Sequence, residues 1–322
     1  MKRKQFLTTA TSLLATTVLP ALPVSARSHL KMEEASIIPP YLIKGDIIGI
    51  TSPAGYISLE EIQPAIKKME DWGYKIKIGT TIGKRDFTFG GTDEERTSDL
   101  QQMLDDRDIK AIMCARGGYG VVRIIDKINW EKFKLHPKWI IGFSDITVIH
   151  SHLNQNFSIA SIHSKMCNSF PDDWTKAEPI QVETIESIDL ALKGEKMKYT
   201  AIPNASNKPG IAEGVLIGGN LKMLETLAGT VSDLNTSGKI LFVEDTGEYL
   251  YNIDRMFWNL KRSGKLDQLS GLIVGGFRIK PSEDPAEEFG KNLSEIVLEK
   301  VKNYSYPVCF DFPVGIRKII LH

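Results

Sequence analysis

Three short segments carry residue types that can do chemistry together. The first is Gly142-Phe143-Ser144-Asp145, where an apolar strand ends and a helix with Ile146, Ile149 and Leu153 on one face begins. A serine on a strand-to-helix turn projects its hydroxyl from the sheet edge, and the next backbone amide, near the helix N-terminus, points at the same spot. That is the geometry of a nucleophile elbow, with one departure from the G-x-S-x-G pattern: Ile146 stands where the second glycine would be. The same four residues also read as a plain helix start, Ser144 capping and Asp145 in the first turn.

The second segment is Arg116-Gly117-Gly118-Tyr119-Gly120, directly after a strand ending at Cys114. Its glycines allow close approach of backbone to a ligand and expose amides. Such a loop can form half of an oxyanion hole, cradle a phosphate, or simply turn the chain before a helix. No Gly-Lys-Ser/Thr follows, so it is not a P-loop, and the spacing is not that of a dinucleotide fingerprint. The third segment is Glu244-Asp245, leaving a strand over residues 239–243. A carboxylate there can orient a histidine and stabilise its imidazolium; it can also bind a metal or sit solvated at a strand end, and no histidine cluster accompanies it. Tyr249, Tyr251, Asp254 and Arg255 follow, either lining a peptide cleft or packing a helix. The histidines at 29, 136, 150, 152, 163 and 322 read as structural: His150 and His152 follow Ser144 too closely along the same helix to serve it.

These segments need a frame that presents them on one side. Apolar strands over 46–51, 74–79, 109–114 and 139–143 alternate with helical stretches over 58–72 (stopped by Gly73), from Thr92 to about 104, over 121–128 and over 145–153. Thr92 and Glu95 have the spacing of a capping box. Short joins between alternating strands and helices predict a parallel sheet covered on both faces, and such sheets bind ligands at the carboxyl ends of their strands. The second half alternates likewise: strands near 214–217, 239–243, 272–275 and 306–312, with helices from 221 to 228, over 250–262 (stopped by Gly264) and over 287–301.

Net formal charge is zero, with no long block of one sign, so no nucleic-acid partner is implied. Three widely spaced cysteines, Cys114, Cys167 and Cys309, form neither a disulfide framework nor a zinc motif. Residues 1–26 read as a cleaved signal peptide: basic Met1-Lys2-Arg3-Lys4, an apolar stretch from Phe6 to Leu22, and a small-residue cleavage site at Val24-Ser25-Ala26. Pro20 and Pro23 break that stretch before it becomes a stable membrane span, so an exported, periplasmic protein is expected, with Sec and Tat routes both open. Residues 27–40 read as a linker, 41–170 as an N-terminal domain carrying Ser144, 171–209 as a connecting helix and linker, and 210–322 as a C-terminal domain.

In combination, Ser52-Pro53-Ala54, the 116–120 glycine loop, Gly142 to Thr147, Gly218-Gly219-Asn220-Leu221 and Leu241 to Asp245 resemble one family. It is that of the murein LD-carboxypeptidases and the related microcin-immunity serine peptidases, and the resemblance runs from about Ile47 to Gly315. It implies an α/β fold, a flavodoxin-like N-terminal domain plus a smaller α/β C-terminal domain, and a homodimer. It implies Ser144 as nucleophile, Glu244 as the acid that orients a histidine, and Gly118 and Asp145 as oxyanion-hole amides. Arg116, Gly117, Tyr119 and Tyr249 would meet the substrate, a muropeptide tetrapeptide losing its terminal D-alanine at an LD bond. No metal or organic cofactor is implied.

The departure lies at the end of the chain. The family's histidine follows a glycine in Pro-x-Gly-His, whereas Pro313-Val314-Gly315 is followed here by Ile316. The residues from Arg317 to His322 do not resemble the family's tail, which normally adds another strand; a truncated or frame-shifted gene would give such an ending. The alternative to an active enzyme is a muropeptide-binding protein impaired by loss of the triad histidine.

Overall fold

The computed structural model describes residues 36–315 apart from 283; the leader, Ile316 and His322 lie outside them. The first half forms β1 (Ile47–Thr51), α1 (Gln63–Asp71), β2 (Lys75–Ile78), α2 (Asp93–Asp105), β3 (Ile109–Cys114), α3 (Glu131–Leu135), β4 (Trp139–Gly142), α4 (Thr147–Phe157), β5 (Ile162–His163) and α5 (Pro179–Leu192). Every strand pair is parallel, in the order β2-β1-β3-β4-β5. This is the flavodoxin-like order expected, and its switch point lies between β1 and β3. The loops leaving those two strands are Ser52–Gly55 and the 116–120 glycine loop, so topology alone brings both to the crevice where such sheets bind ligands.

The second half contributes β6 (Leu216–Asn220), α6 (Leu221–Thr226), β7 (Ile240–Glu248), α7 (Leu250–Arg262), β8 (Gly271–Ile279), α8 (Leu293–Val301) and β9 (Val308–Cys309), with a parallel sheet ordered β6-β7-β8-β9.

Buried apolar side chains cover both faces of the first sheet. One cluster packs Ile112, Ile140 and Val148 with Phe133 and Leu153, and the other packs Ile48, Ile50 and Ile141 with Met69. Helix α5, within the segment read as a connector, sends Ile185, Ile188 and Leu192 into this second cluster. At the other end of the half, Ile37 is hydrogen-bonded between Ser158 and Ala160, so the last residues of the expected 27–40 linker are docked on the fold. The second sheet has its own core around Val243, Val274, Phe257 and Val297.

Several elements differ from the sequence reading, each for a local reason. The capping box at Thr92 and Glu95 forms as expected. Residues 121–127 make two 3-10 turns rather than one helix. Strand β7 does not stop at Val243 but continues to Glu248, because β8 accompanies it to Ile279 across a register shift between Val243 and Asp245. Helix α8 starts at Leu293, after a capping box of Asn292 and Glu295. The last strand shrinks to Val308–Cys309.

Candidate active site

Strand β4 ends at Gly142, and there is no room there for a side chain: a β-carbon would lie 2.9 Å from Ile146 Cγ1. The chain turns so tightly that the isoleucine standing in the second glycine's place folds back over the first. Ser144, within that turn, has φ of +60°. A non-glycine residue in the left-handed region costs about 1–3 kcal/mol and persists where surrounding structure enforces it. The strain is that of a nucleophile elbow. Among the described residues the Ser144 hydroxyl makes no hydrogen bond.

Asp145 supplies part of the enforcement. It is buried, and its Oδ2 accepts the Val121 N–H at 2.8 Å. This ties the serine turn to the end of the glycine loop. Burial pushes its carboxyl up to about 6, with the Val121 and Gly120 amides and the Arg96 guanidinium pulling the other way.

The glycine loop lies against the serine. A β-carbon on Gly117 would sit 3.2 Å from Ser144 Cβ and 3.4 Å from its Oγ. Gly117 O accepts the Gly55 N–H at 2.9 Å, which binds the loops after β1 and β3 to each other. Gly118 has φ of +104°. Neither Gly118 N–H nor Asp145 N–H donates to another group among the described residues. Two amides without acceptors among the described residues, one on the residue after the strained serine and one in the loop that packs on it, are the kind of donors an oxyanion hole uses.

Arg96 holds the arrangement from below. It is fully buried, and its Nη1 donates to Pro53 O at 2.6 Å and to Gly120 O at 3.0 Å, while Asp93 pairs with its Nη2 at 2.5 Å. One guanidinium thus joins both loops of the crevice. Among the remaining expected substrate residues, Arg116 is exposed and donates to Tyr56 O at 3.0 Å, and half-exposed Tyr119 packs on Phe89. Tyr249 sits at the N-cap of α7, between Tyr251 and the Lys280 ammonium.

The geometry separates the two carboxylates of Glu244-Asp245. Asp245 accepts from Thr246 N at 2.7 Å, Lys222 N at 2.9 Å and Asn220 Nδ2 at 3.1 Å, so its oxygens are committed to the fold. Glu244 is equally buried, yet its Oε1 has no partner among the described residues. Burial, then the neighbouring Asp245 carboxylate, push Glu244 up to about 8, against the Asn220 amide and the Lys165 ammonium. The expected placement at a strand end is corrected: Glu244 lies within β7, at the register shift that interrupts pairing with β8. Such an irregularity re-aims a side chain without ending the strand.

Glu244 and the serine turn meet through Asn220 and Thr147. Asn220 is the register partner of Glu244, and its N–H donates to Thr147 Oγ1 at 3.1 Å at the start of α4. Gly219 has no room for a β-carbon because Thr147 would be 2.6 Å away. The Ser144 turn and the Glu244 strand therefore share one junction between the sheets.

None of the described histidines reaches Ser144 or Glu244. His150 Nε2 bonds Gly142 O at 2.9 Å, His152 bonds Ser232, and His163 is enclosed by Phe143, Phe242 and His150. The sequence reading missed Arg96, Thr147 and Lys165. A charged residue inside a helix gives no sequence signal that it is buried; for Thr147, its place in the first turn after the serine was the available cue.

Residues 48–164 match the LD-carboxypeptidase N-terminal domain, and residues 213–318 match the LD-carboxypeptidase C-terminal domain. A probable murein peptide carboxypeptidase of Bacillus subtilis is 34% identical over 279 residues, which cover 86% of each chain. The crystal structure of a muramoyltetrapeptide carboxypeptidase from Oxalobacter formigenes superposes with a TM-score of 0.71 at 28% identity, covering 84% of this chain and 90% of that one. The microcin C7 self-immunity protein MccF, in complex with aspartyl sulfamoyl adenosine, shares the fold with a TM-score of 0.73 at 22% identity, covering 86% and 92%.

Proposed function

Since this chain belongs to the LD-carboxypeptidase family, we propose that it is a serine carboxypeptidase that releases terminal D-alanine from muropeptide tetrapeptides by hydrolysing an LD bond. The observation that carries this reading is Ser144, held at φ +60° against Gly117, with the Gly118 and Asp145 amides free of acceptors among the described residues. Ser144 Oγ attacks the carbonyl before the D-amino acid, and the Gly118 and Asp145 amides receive the oxyanion. Glu244 supplies the acid of the site. Arg116, Gly117, Tyr119 and Tyr249 border the substrate. The relatives named for murein peptides support the substrate class, and the basic, then apolar, N-terminus supports export to the periplasm. Dimerisation belongs to the same proposal.

Glu244 Oε1, without a partner among the described residues, together with Ile316 after Gly315, favours a second reading: a protein that binds muropeptides and turns them over slowly, because no histidine follows Gly315 for the acid to orient. The deciding experiment is incubation with a muramoyl tetrapeptide and mass detection of released D-alanine, with Ser144→Ala as control. Release that depends on Ser144 supports the hydrolase. Binding without release by the wild-type chain, with release restored when Ile316 is replaced by histidine, supports the second reading; binding without release in both overturns the hydrolase assignment.

A further inference from the structure

Strand β5 is only two residues long, but its register carries beyond its end. Ile141 pairs with Ile162 and Gly142 with His163, and the Ser164 N–H donates to Gly142 O at 3.0 Å. From there the chain after β4 turns into Ser144 at φ +60°, and the chain after β5 runs on to Lys165. Residues on either side of Lys165 pack against the serine turn and against the glycine loop that lies on it. On one side His163 packs edge-on to Phe143 at 6.1 Å between ring centroids. On the other, Met166 Cε lies 3.3 Å from the point where a Gly117 β-carbon would be, beside the 3.2 Å approach of Ser144 Cβ.

The ammonium of Lys165 lies 5.4 Å from the centre of the Phe143 ring, adjacent to Ser144. Among the described residues it makes no ion pair and no hydrogen bond. The charged group acting on it from the facing sheet is Glu244, whose Oε1 is unpartnered, and its own strand contributes His163, which stays neutral. A lysine in a junction that holds a strained serine and a buried acid, with no acceptor among the described residues, is placed to exchange a proton there.

We propose that Lys165 is the base that activates Ser144 in this chain, with Glu244 as its buried counter-group. The inference rests on the hydrolase reading of the same site. Burial supports it by favouring the uncharged forms of both partners: it lowers the lysine, against the pull of Glu244, and raises Glu244. An uncharged amine beside a serine hydroxyl, directly or through one water, can accept its proton. Serine–lysine pairs are a known alternative to serine–histidine ones.

The steps balance without a co-reactant. Lys165 Nζ takes the Ser144 proton as Oγ bonds to the carbonyl carbon. The C–N bond then breaks, and the ammonium returns that proton to the departing amine, leaving a Ser144 ester. A water gives its proton to Lys165 and attacks the ester; Ser144 Oγ leaves and takes the proton back.

The test uses the full chain and an alkyl fluorophosphonate, which forms a stable bond to an activated serine, with the labelled residue located by mass spectrometry. The wild-type protein is expected to be labelled at Ser144, with an acidic limb in the pH–rate profile. Lys165→Met and Lys165→Arg are each expected to slow labelling by about 100-fold or more, the scale of a lost general base. Arginine keeps the charge over Phe143 but cannot lose its proton, so a merely structural lysine would be rescued by it. Wild-type labelling rates in K165R overturn the proposal and leave the hydrolase reading standing. So does a wild-type protein that resists the reagent while Ile316→His accepts it at Ser144. If neither protein is labelled, the hydrolase reading fails and this one with it.

Discussion

Gly315 lies against Glu244 so closely that a β-carbon on it would be 2.7 Å from Glu244 Cβ and 3.0 Å from Oε2. The contact exists because β8 carries Gly275-Gly276 opposite the register shift in β7. Gly276 N–H donates to Val314 O at 2.7 Å and Gly276 bridges to Gly315, which draws the end of the chain alongside the acid. Gly315 is the last described residue at this end, and Glu244 Oε1 has no partner among the described residues. Replacing Ile316 by histidine is expected to offer that oxygen an imidazole N–H and Ser144 a second base beside Lys165. I316H is expected to raise kcat/KM for D-alanine release by about 100-fold or more, with KM little changed, measured on a muramoyl tetrapeptide. An unchanged rate would mean that residue 316 does not face the acid.

The same closeness makes Gly315 intolerant of change. With φ of +88° and backbone-proximal atoms of Glu244 in the way, Gly315→Ala cannot be absorbed by swinging a flexible side-chain end. The cost is expected to be about 1–3 kcal/mol, read as a lowered urea midpoint. The double variant G315A/I316H is expected to lose the gain that I316H alone provides. Retention of that gain would show that the glycine is not what positions the chain beside the acid.

Arg96 tests whether the crevice loops are held as one unit. Arg96→Ala removes hydrogen bonds to Pro53 O and Gly120 O and leaves Asp93 with less compensation. Each hydrogen bond lost from the charged guanidinium is expected to cost about 1.5–3 kcal/mol. Surviving folded protein is expected to lose kcat more than it raises KM, because the Gly118 amide moves with the loop. A variant with normal kcat and normal stability would count against the clamp.

The serine turn was legible because an apolar strand meeting a helix at Gly-Phe-Ser-Asp leaves few ways to place the hydroxyl. The glycine loop was legible as a turn that exposes backbone, but not that Gly117 packs on Ser144 and accepts from Gly55. The Glu244-Asp245 pair was found, but its location was misjudged. Val243 looks like a strand end because acids follow it, and the interruption comes instead from Gly275-Gly276 on the neighbouring strand. Which acid is available depends on three donors to Asp245, two of them from the segment between Asn220 and Lys222. Arg96 and Lys165 were invisible for a simpler reason: their burial is set by loops and strands distant in sequence, and nothing local marks it.

The last prediction concerns acid lability and comes from the pair behind the serine strand. His150 and His163 are enclosed, and burial pushes them down to about 4 and about 3 respectively. For His163 the charges of His150 and Lys165 add to burial. Both ring nitrogens of His163 lack a partner among the described residues. A histidine lowered in the folded state stays neutral there, while in the unfolded chain it takes up a proton below about 6.5. The unfolded state then binds more protons, so stability is fully present above that pH and falls as the pH drops toward the folded value. At roughly 1.4 kcal/mol per pH unit, each such histidine costs about 2 kcal/mol between pH 7 and pH 5. Phenylalanine suits the aromatic surround of Phe143 and Phe242 and cannot take up a proton. His163→Phe is therefore expected to be about 2 kcal/mol more stable relative to wild type at pH 5 than at pH 7.5, measured by urea unfolding at both. An equal effect at the two values would place the acid sensitivity elsewhere.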